Sequence, residues 1–448
     1  MSPDNGRRRV AVTGIGLVTP LGNDVPSTWS GLLEGRSGIG PITIFDAGGF
    51  STRIAAEVKG FDFGPRPGLD ARNLKQAGRQ HRFALAAAEE AMAQALGPAG
   101  ASARSGGGPW IGAEDAGRWG CVVGAGMIST GFEALEDLHR RFVKDETIDA
   151  GLLGREGPST AADPMEFCRT QSVAGLGLLL RRFGIRGHAA TVHTACASGG
   201  QALGTALKAI RAGWADAVLA GGFDSMIHPL GLSGFCLLGA LSTDNDEPWR
   251  ASRPFDRTRS GFVLGEGAGF LVLEEWERAR RRGALVLAEF CGEGNSLSSY
   301  RITDSHPSGD GPIQAMRWAL ADARVSPEAV GYINAHGTST PMNDRSECRA
   351  IEAVFGPWAR SLPVSSTKSQ MGHLIAAAGA VEAAVCVLAL RHGRLPATAN
   401  LRHPDPECAL DFIADGPREA RARVALSNSF GFGGSNNCLV LRAPEEEP

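Results

Sequence analysis

The chain has 448 residues, 43% hydrophobic and 21% charged, which suits a globular protein of one large domain or two ordinary ones rather than a disordered one. A net charge of −3 and an isoelectric point near 6.4 leave no electrostatic case for nucleic acid as a partner. Nine cysteines (121, 168, 196, 236, 291, 348, 386, 408 and 438) are scattered without a C-x-x-C pair, which argues against a zinc cluster or disulfide framework and for a reduced, cytoplasmic protein.

In chain order, MSPDNGRRRV runs straight into a strand-like segment, with no apolar signal core behind its arginines. Residues 10–13 form a β-branched run predicted to break at Gly14 and Gly16. Arg72, Lys75, Arg79 and Arg82 cluster ahead of 83–96, FALAAAEEAMAQAL, which has the composition and spacing of a helix. Residues 97–117 are rich in Gly, Ser and Pro and read as a surface loop. Residues 215–220 are predicted to form a buried strand ending at Gly221-Gly222, and EEWERARRRG (274–283) a charged helix. The apolar run at 385–390 is far short of the ~18 residues that span a bilayer, so no membrane is expected. The tail 443–448 is expected to fray. Strands alternating with long helices point to an α/β architecture.

Three pairs of segments echo one another in the same order: VVGAGM (122–127) with YINAHGT (332–338), TVHTACASGG (191–200) with VSSTKSQMGH (364–373), and LGEGAGFLVL (264–273) with GFGGSNNCLVL (431–441). Such ordered self-similarity predicts a duplicated half-domain, with halves 8–283 and 284–442.

Chemistry concentrates in four stretches. Cys196 precedes a helix pattern clad in Gly and Ala, which can be packed tightly on several sides and so is placed at the centre of the fold. The N-terminus of that helix would aim backbone N–H groups at the thiol, lower its pKa and leave donors for an oxyanion. A small buried hydrophobe is the competing reading for any lone cysteine. His336 lies in a loop of small hydroxyl residues, where a satisfied polar side chain is the bland alternative. His373 opens a second small-residue helix, flanked by Lys368 and Glu382, and a helix N-terminus favours a neutral imidazole there. The run 427–437, SNSFGFGGSNN, places Phe430 on a pliable segment suited to a gate, an ordinary core aromatic being the alternative.

Taken together, TACASG, NAHGTSTP, SSTKSQMGH and GFGGSN resemble the β-ketoacyl-acyl carrier protein synthases, most closely the elongating type II enzyme, and the resemblance runs from RRVAVTGIGLVTPLGN (8–23) to NCLVLR (437–442). It implies the thiolase fold, a duplicated α/β unit forming an α-β-α-β-α five-layer sandwich, usually homodimeric. It further implies Cys196 as the acyl-carrying nucleophile, His336 and His373 as catalytic donors, and Lys368 and Glu382 as polar support, a simple buried ion pair being the other reading. The backbone N–H groups of Cys196 and Phe430 would hold an oxyanion. Thr303, Thr338 and Thr340 match positions that contact phosphopantetheine. No metal or organic cofactor is implied, because the substrates ride on acyl carrier protein. That acidic partner makes the basic Arg72, Lys75 and Arg79 docking candidates, with a solvated charged face as the alternative.

Two positions depart from the family pattern: Arg301 stands where a histidine is common, and Gln171 where an asparagine is usual. Chain-length preference and pathway therefore stay open between fatty-acid elongation and a specialised polyketide or polyene route. A non-catalytic chain-length partner would lack the nucleophile, which this chain keeps.

Overall fold

The computed structural model describes residues 6–64, 74, 75, 77–106, 109–126, 132–160, 168–304 and 306–445. Its main sheet has eleven strands: β1 (Val10–Val18), β2 (Trp119–Ala125), β3 (Ala189–Val192), β4 (Ala217–Ser225), β5 (Glu266–Glu275), β6 (Ala288–Leu297), β7 (Tyr332–Asn334), β8 (Pro363–Ser365), β9 (Asp411–Phe412), β10 (Val424–Phe430) and β11 (Ser435–Arg442). Five helices organise it: α1 (Arg79–Leu96), α2 (Ser198–Arg211), α3 (Asp310–Ala323), α4 (Pro341–Phe355) and α5 (Ala378–His392).

The strand order is β9-β8-β7-β10-β11-β6-β1-β5-β4-β2-β3. Its two halves repeat one another. β1-β5-β4-β2-β3 and β6-β11-β10-β7-β8 each begin with two antiparallel pairings and continue with parallel ones. They join where Ala11 faces Glu289 and Val12 faces Ala288. The ordered echoes of the sequence fall on matching strands: β2 with β7, β3 with β8, β5 with β11. Even the register breaks correspond, between Val12 and Gly14 on β1 and between Phe290 and Gly292 on β6.

Helix α1 covers the outer face of the first half-sheet and α3, with α4 beside it, that of the second; α2 and α5 lie side by side between the half-sheets. The result is the α-β-α-β-α layering that the resemblance implies. One apolar core fills the middle layer and one lies under each outer helix layer. Every residue of α5 from Ala378 to Leu390 is buried, as a helix apolar on all sides requires. With the turn before it, the span Ile375–His392 is long and apolar enough to cross a membrane, but 89% of it is buried inside the protein.

Three sequence expectations change. β1 does not break at its glycines: a Cβ on Gly14 would lie 2.1 Å from the Ala91 carbonyl oxygen, so the glycine admits α1 rather than ending the strand. β4 likewise continues through Gly221-Gly222 to Ser225, because the glycines let β5 and the α5 turn approach. Within 97–117, residues Pro98–Arg104 form a helix, its proline at the first turn where no N–H is missed. Of the tail, 443–445 are described and 446–448 lie outside the described residues.

Candidate active site

β3 leads to a tight turn, Ala195–Ala197, that feeds α2. Ala195 takes a left-handed φ of 50°, and Ser198 ties the turn by accepting the Thr194 N–H (2.8 Å) and donating to the Ala195 carbonyl (2.7 Å). Cys196 is thereby held at the helix entrance, only 6% exposed. Burial pushes its thiol up to about 11, although the Lys368 cation and the Phe432 backbone N–H both pull the other way. This raised value runs opposite to the lowering expected from a helix N-terminus.

His336 follows β7. Its backbone N–H and that of Gly337 donate to the Glu347 carboxylate of α4, at 2.9 and 2.8 Å, and Asn428 donates to the same carboxylate at 3.1 Å. His373 is not at a helix N-terminus. It lies between the short helix Lys368–Met371 and the turn Ile375–Ala377, bonded through its main chain to Val263 and Gly265. The Ile375 N–H donates to its Nδ1 (3.2 Å), so a neutral ring carries its proton on Nε2, which is buried and has no protein partner. The two imidazoles stand edge to face, centroids 5.3 Å apart. Burial and then Lys368 hold both well below the usual histidine range. Both directions favour neutral rings; at His373, desolvation and a cation act where the sequence pointed to a helix N-terminus. Lys368 is ion-paired with Glu382, both 2% exposed, and burial lifts the Glu382 carboxyl to about 7.

Cys196, His336 and His373 all face one cavity of about 220 Å³, whose wall carries Thr303, Thr338 and Thr340. The hydroxyls of the last two lie 2.8 Å apart.

The family model for the N-terminal domain of β-ketoacyl synthase matches residues 7–279, and that for its C-terminal domain matches 287–402. The chain belongs to the β-ketoacyl synthase family. It is 42% identical over 436 residues to 3-oxoacyl-[acyl-carrier-protein] synthase 2 of Synechocystis sp., covering 97% of this chain and 98% of the other. The synthase 2 of Coxiella burnetii is 40% identical over 97% and 98% of the two chains. Among solved structures, a type II polyketide ketosynthase in complex with its acyl-carrier protein and bound to the hexaketide superposes with a TM-score of 0.83 at 32% identity, covering 98% of this chain and all of that one.

Phe430, the residue expected at the gate and oxyanion site, and Phe432, two residues on, sit differently around Cys196. Phe430 ends β10, is 5% exposed and packs against the His336 ring at 5.6 Å. Phe432 is the residue on the glycine loop: Gly433 and Gly434 have φ of 80° and 82°, and the Phe432 N–H reaches the Cys196 thiol. The sequence pattern marks the loop but does not say where the strand stops.

The docking candidates separate. Arg72 lies outside the described residues. Lys75 and Arg82 are exposed. Arg79 is exposed as well, but its guanidinium pairs with the buried Glu266 carboxylate (Nε to Oε2 2.8 Å) and donates to the Val58 carbonyl, so its charge is offset by that partner. Arg301 is exposed, 3.3 Å from Asp304 and over the Tyr300 ring, and does not line the cavity. Gln171 is exposed.

Two buried acids in the run 334–347 also support the site. Glu347 anchors the His336 loop; Asp344 accepts the N–H groups of Thr338 (3.0 Å) and Phe255 (2.9 Å). Acids spaced along a helix straight after a histidine loop were the available signal. Asp224, at the end of β4, carried no such signal.

Proposed function

We propose that this enzyme condenses malonyl-acyl carrier protein with an acyl chain held on Cys196, giving 3-oxoacyl-acyl carrier protein and CO2 in fatty-acid elongation. The observation that carries the reading is a buried thiol sharing one cavity with two neutral imidazoles, one of which has an unpaired Nε2–H.

In the first half-reaction the Cys196 sulfur attacks the acyl thioester of a carrier protein. The N–H groups of Cys196 and Phe432 hold the tetrahedral oxyanion, the carrier thiolate leaves, and the thiol proton goes to it. In the second, the bond from the malonyl methylene to its carboxylate breaks and CO2 departs. The electron pair forms an enolate whose oxygen accepts from His336 and His373. Neutral donors suit this step, since an imidazolium would surrender its proton and quench the carbanion. The enolate carbon attacks the acyl carbonyl, a carbon–carbon bond forms, and Cys196 leaves as thiolate and is reprotonated. Lys368 and Glu382 touch no reacting atom in this scheme; they set the charge around it. Thr303, Thr338 and Thr340 line the route of the phosphopantetheine arm, and Lys75 and Arg82 remain the surface cations for the acidic carrier. We place the enzyme in the cytoplasm, as a homodimer whose subunits each divide near residue 283.

A second reading keeps the chemistry and changes the pathway. Likeness to a type II polyketide ketosynthase along essentially the whole chain, with Arg301 and Gln171 off the usual pattern, favours a polyketide route as the alternative. Incubation with acyl-carrier protein and peptide mass mapping tests the core claim: the acyl group should appear on the Cys196 peptide and vanish in Cys196→Ala, which should still decarboxylate malonyl thioester. Acylation of another residue refutes it. A panel of acyl chain lengths separates the two pathways.

A further inference from the structure

The duplication produces two versions of the catalytic turn. Ala195–Ala197 leads into α2 and Ile375–Ala377 into α5; both begin with a left-handed non-glycine residue, Ala195 at φ 50° and Ile375 at φ 48°. Cys196 occupies the middle of the first turn and Ala376 the middle of the second. At Cys196 the turn opens onto the cavity. At Ala376 the N–H donates to the Asp224 Oδ2 at 3.0 Å.

Asp224 is 3% exposed and the fold makes room for it. A Cβ on Gly126 would stand 2.0 Å from Oδ2, so only glycine leaves space for the carboxylate. The neighbouring residues of the second turn divide their N–H groups between two tasks: Ala376 binds Asp224, and Ile375 binds His373 Nδ1. The bond from Ile375 fixes the tautomer that leaves Nε2–H free. The first half of the chain thus reaches across the middle layer and sets the donor supplied by the second.

We propose that Asp224 is a positioning residue: it plugs the second, unused copy of the oxyanion turn and, through the Ile375–Ala376 backbone, holds the His373 Nε2–H toward the malonyl thioester. This rests on the function proposed above. Asp224 also acts on Cys196 directly, since its charge is one of the influences keeping the thiol protonated, opposed by Lys368. Burial lifts the Asp224 carboxyl itself to about 7, so it is ionised throughout the alkaline range in which the thiol titrates. The other acid facing it, Glu266 on β5, is ion-paired with Arg79 and accepts from Ser225 Oγ (2.7 Å).

Two substitutions separate the roles. In Asp224→Asn the amide oxygen can still accept from Ala376; in Asp224→Ala nothing does. Malonyl-carrier decarboxylation, which needs the histidine donors, should fall roughly tenfold or more in Asp224→Ala, a share of the ~10²–10³ lost with an oxyanion donor. It should stay within about threefold of the parent in Asp224→Asn. In Asp224→Asn the pH midpoint of Cys196 alkylation by iodoacetamide should also move downward, a change that loss of packing alone would not produce. Folded Asp224→Ala that decarboxylates like the parent overturns the proposal. So does Asp224→Asn with an unmoved alkylation midpoint, a result obtainable even if the alanine variant fails to fold. A parent that condenses normally beside either result leaves the proposed function standing; a parent that never decarboxylates malonyl thioester sinks both.

Discussion

Replacing Lys368 with methionine should make Cys196 harder to ionise. Burial moves the thiol from 9.0 to about 11, and Lys368 is the strongest influence holding it from going higher. Two pH units correspond to about 2.7 kcal/mol in favour of the protonated form. At pH 8 they reduce the thiolate fraction from roughly one in ten to roughly one in a thousand. Iodoacetamide alkylation at pH 8, followed by mass mapping of the Cys196 peptide, should therefore run about 100-fold slower than for free cysteine. The rate should rise to a midpoint near 11, and Lys368→Met should push that midpoint higher. The same shift enters stability: between pH 9 and 11 the unfolded thiol has lost its proton while the native one keeps it, so this group's contribution is intact below pH 9 and falls as pH rises. Cys291, lifted to about 12 by burial, and Cys121 and Cys386, pushed higher still, add in the same direction. A midpoint at or below 9, unmoved in Lys368→Met, would refute this electrostatic account and restore the helix N-terminus as the dominant influence.

Other consequences can be measured in the same protein. Gly431→Ala places a Cβ 3.2 Å from the Cys196 nitrogen and 2.9 Å from the Thr194 carbonyl oxygen, so condensation should drop by about 10²-fold or more while the thermal midpoint changes little. Gly379→Ala puts a methyl 2.7 Å from both the Gly200 nitrogen and Ser429 Oγ, where α2 and α5 meet; overpacking of about 1–3 kcal/mol should appear in urea unfolding, whereas Gly154→Ala, with open space around it, should cost nothing. His336 and His373 resist protonation well below 6.5, so malonyl decarboxylation should stay level from pH 8 to 6. Unfolded histidines take up protons near 6.5 that these cannot, so stability from this pair should fall as pH drops through that value.

The duplication was legible because its traces are local: a strand, a small-residue loop and a second strand leave the same composition twice. Four candidate site residues were legible for a similar reason, since Cys196, His336, Lys368 and His373 each sit in a short run of mostly small residues. What misled was tertiary. Gly14 and Gly221 read as strand breaks because glycine weakens isolated strands, yet a helix or strand pressed against them leaves no room for any Cβ. Phe430 and Phe432 differ only in which side of the last β10 residue they fall, and strand ends are set by pairing with β11. The thiol's direction was not legible because desolvation, which no sequence window records, raises it.

Desolvation also explains the buried lysine. In the proposed mechanism condensation needs the two imidazoles uncharged and the thiol able to lose its proton, and burial serves only the first of these. Burial stabilises the neutral form of every titratable group, so it readies the histidines while penalising the cysteine. A positive charge acts on both in the useful direction: it opposes a proton on His336 and His373 and favours its departure from Cys196. One cation therefore resolves a conflict that neither burial nor a helix N-terminus could resolve alone. The cation must itself be buried to be felt, which leaves Glu382 as the counter-charge that keeps it there. Lys368 thus earns its place without touching substrate, and its loss should weaken acyl transfer through the thiol and decarboxylation through the histidines in the same variant.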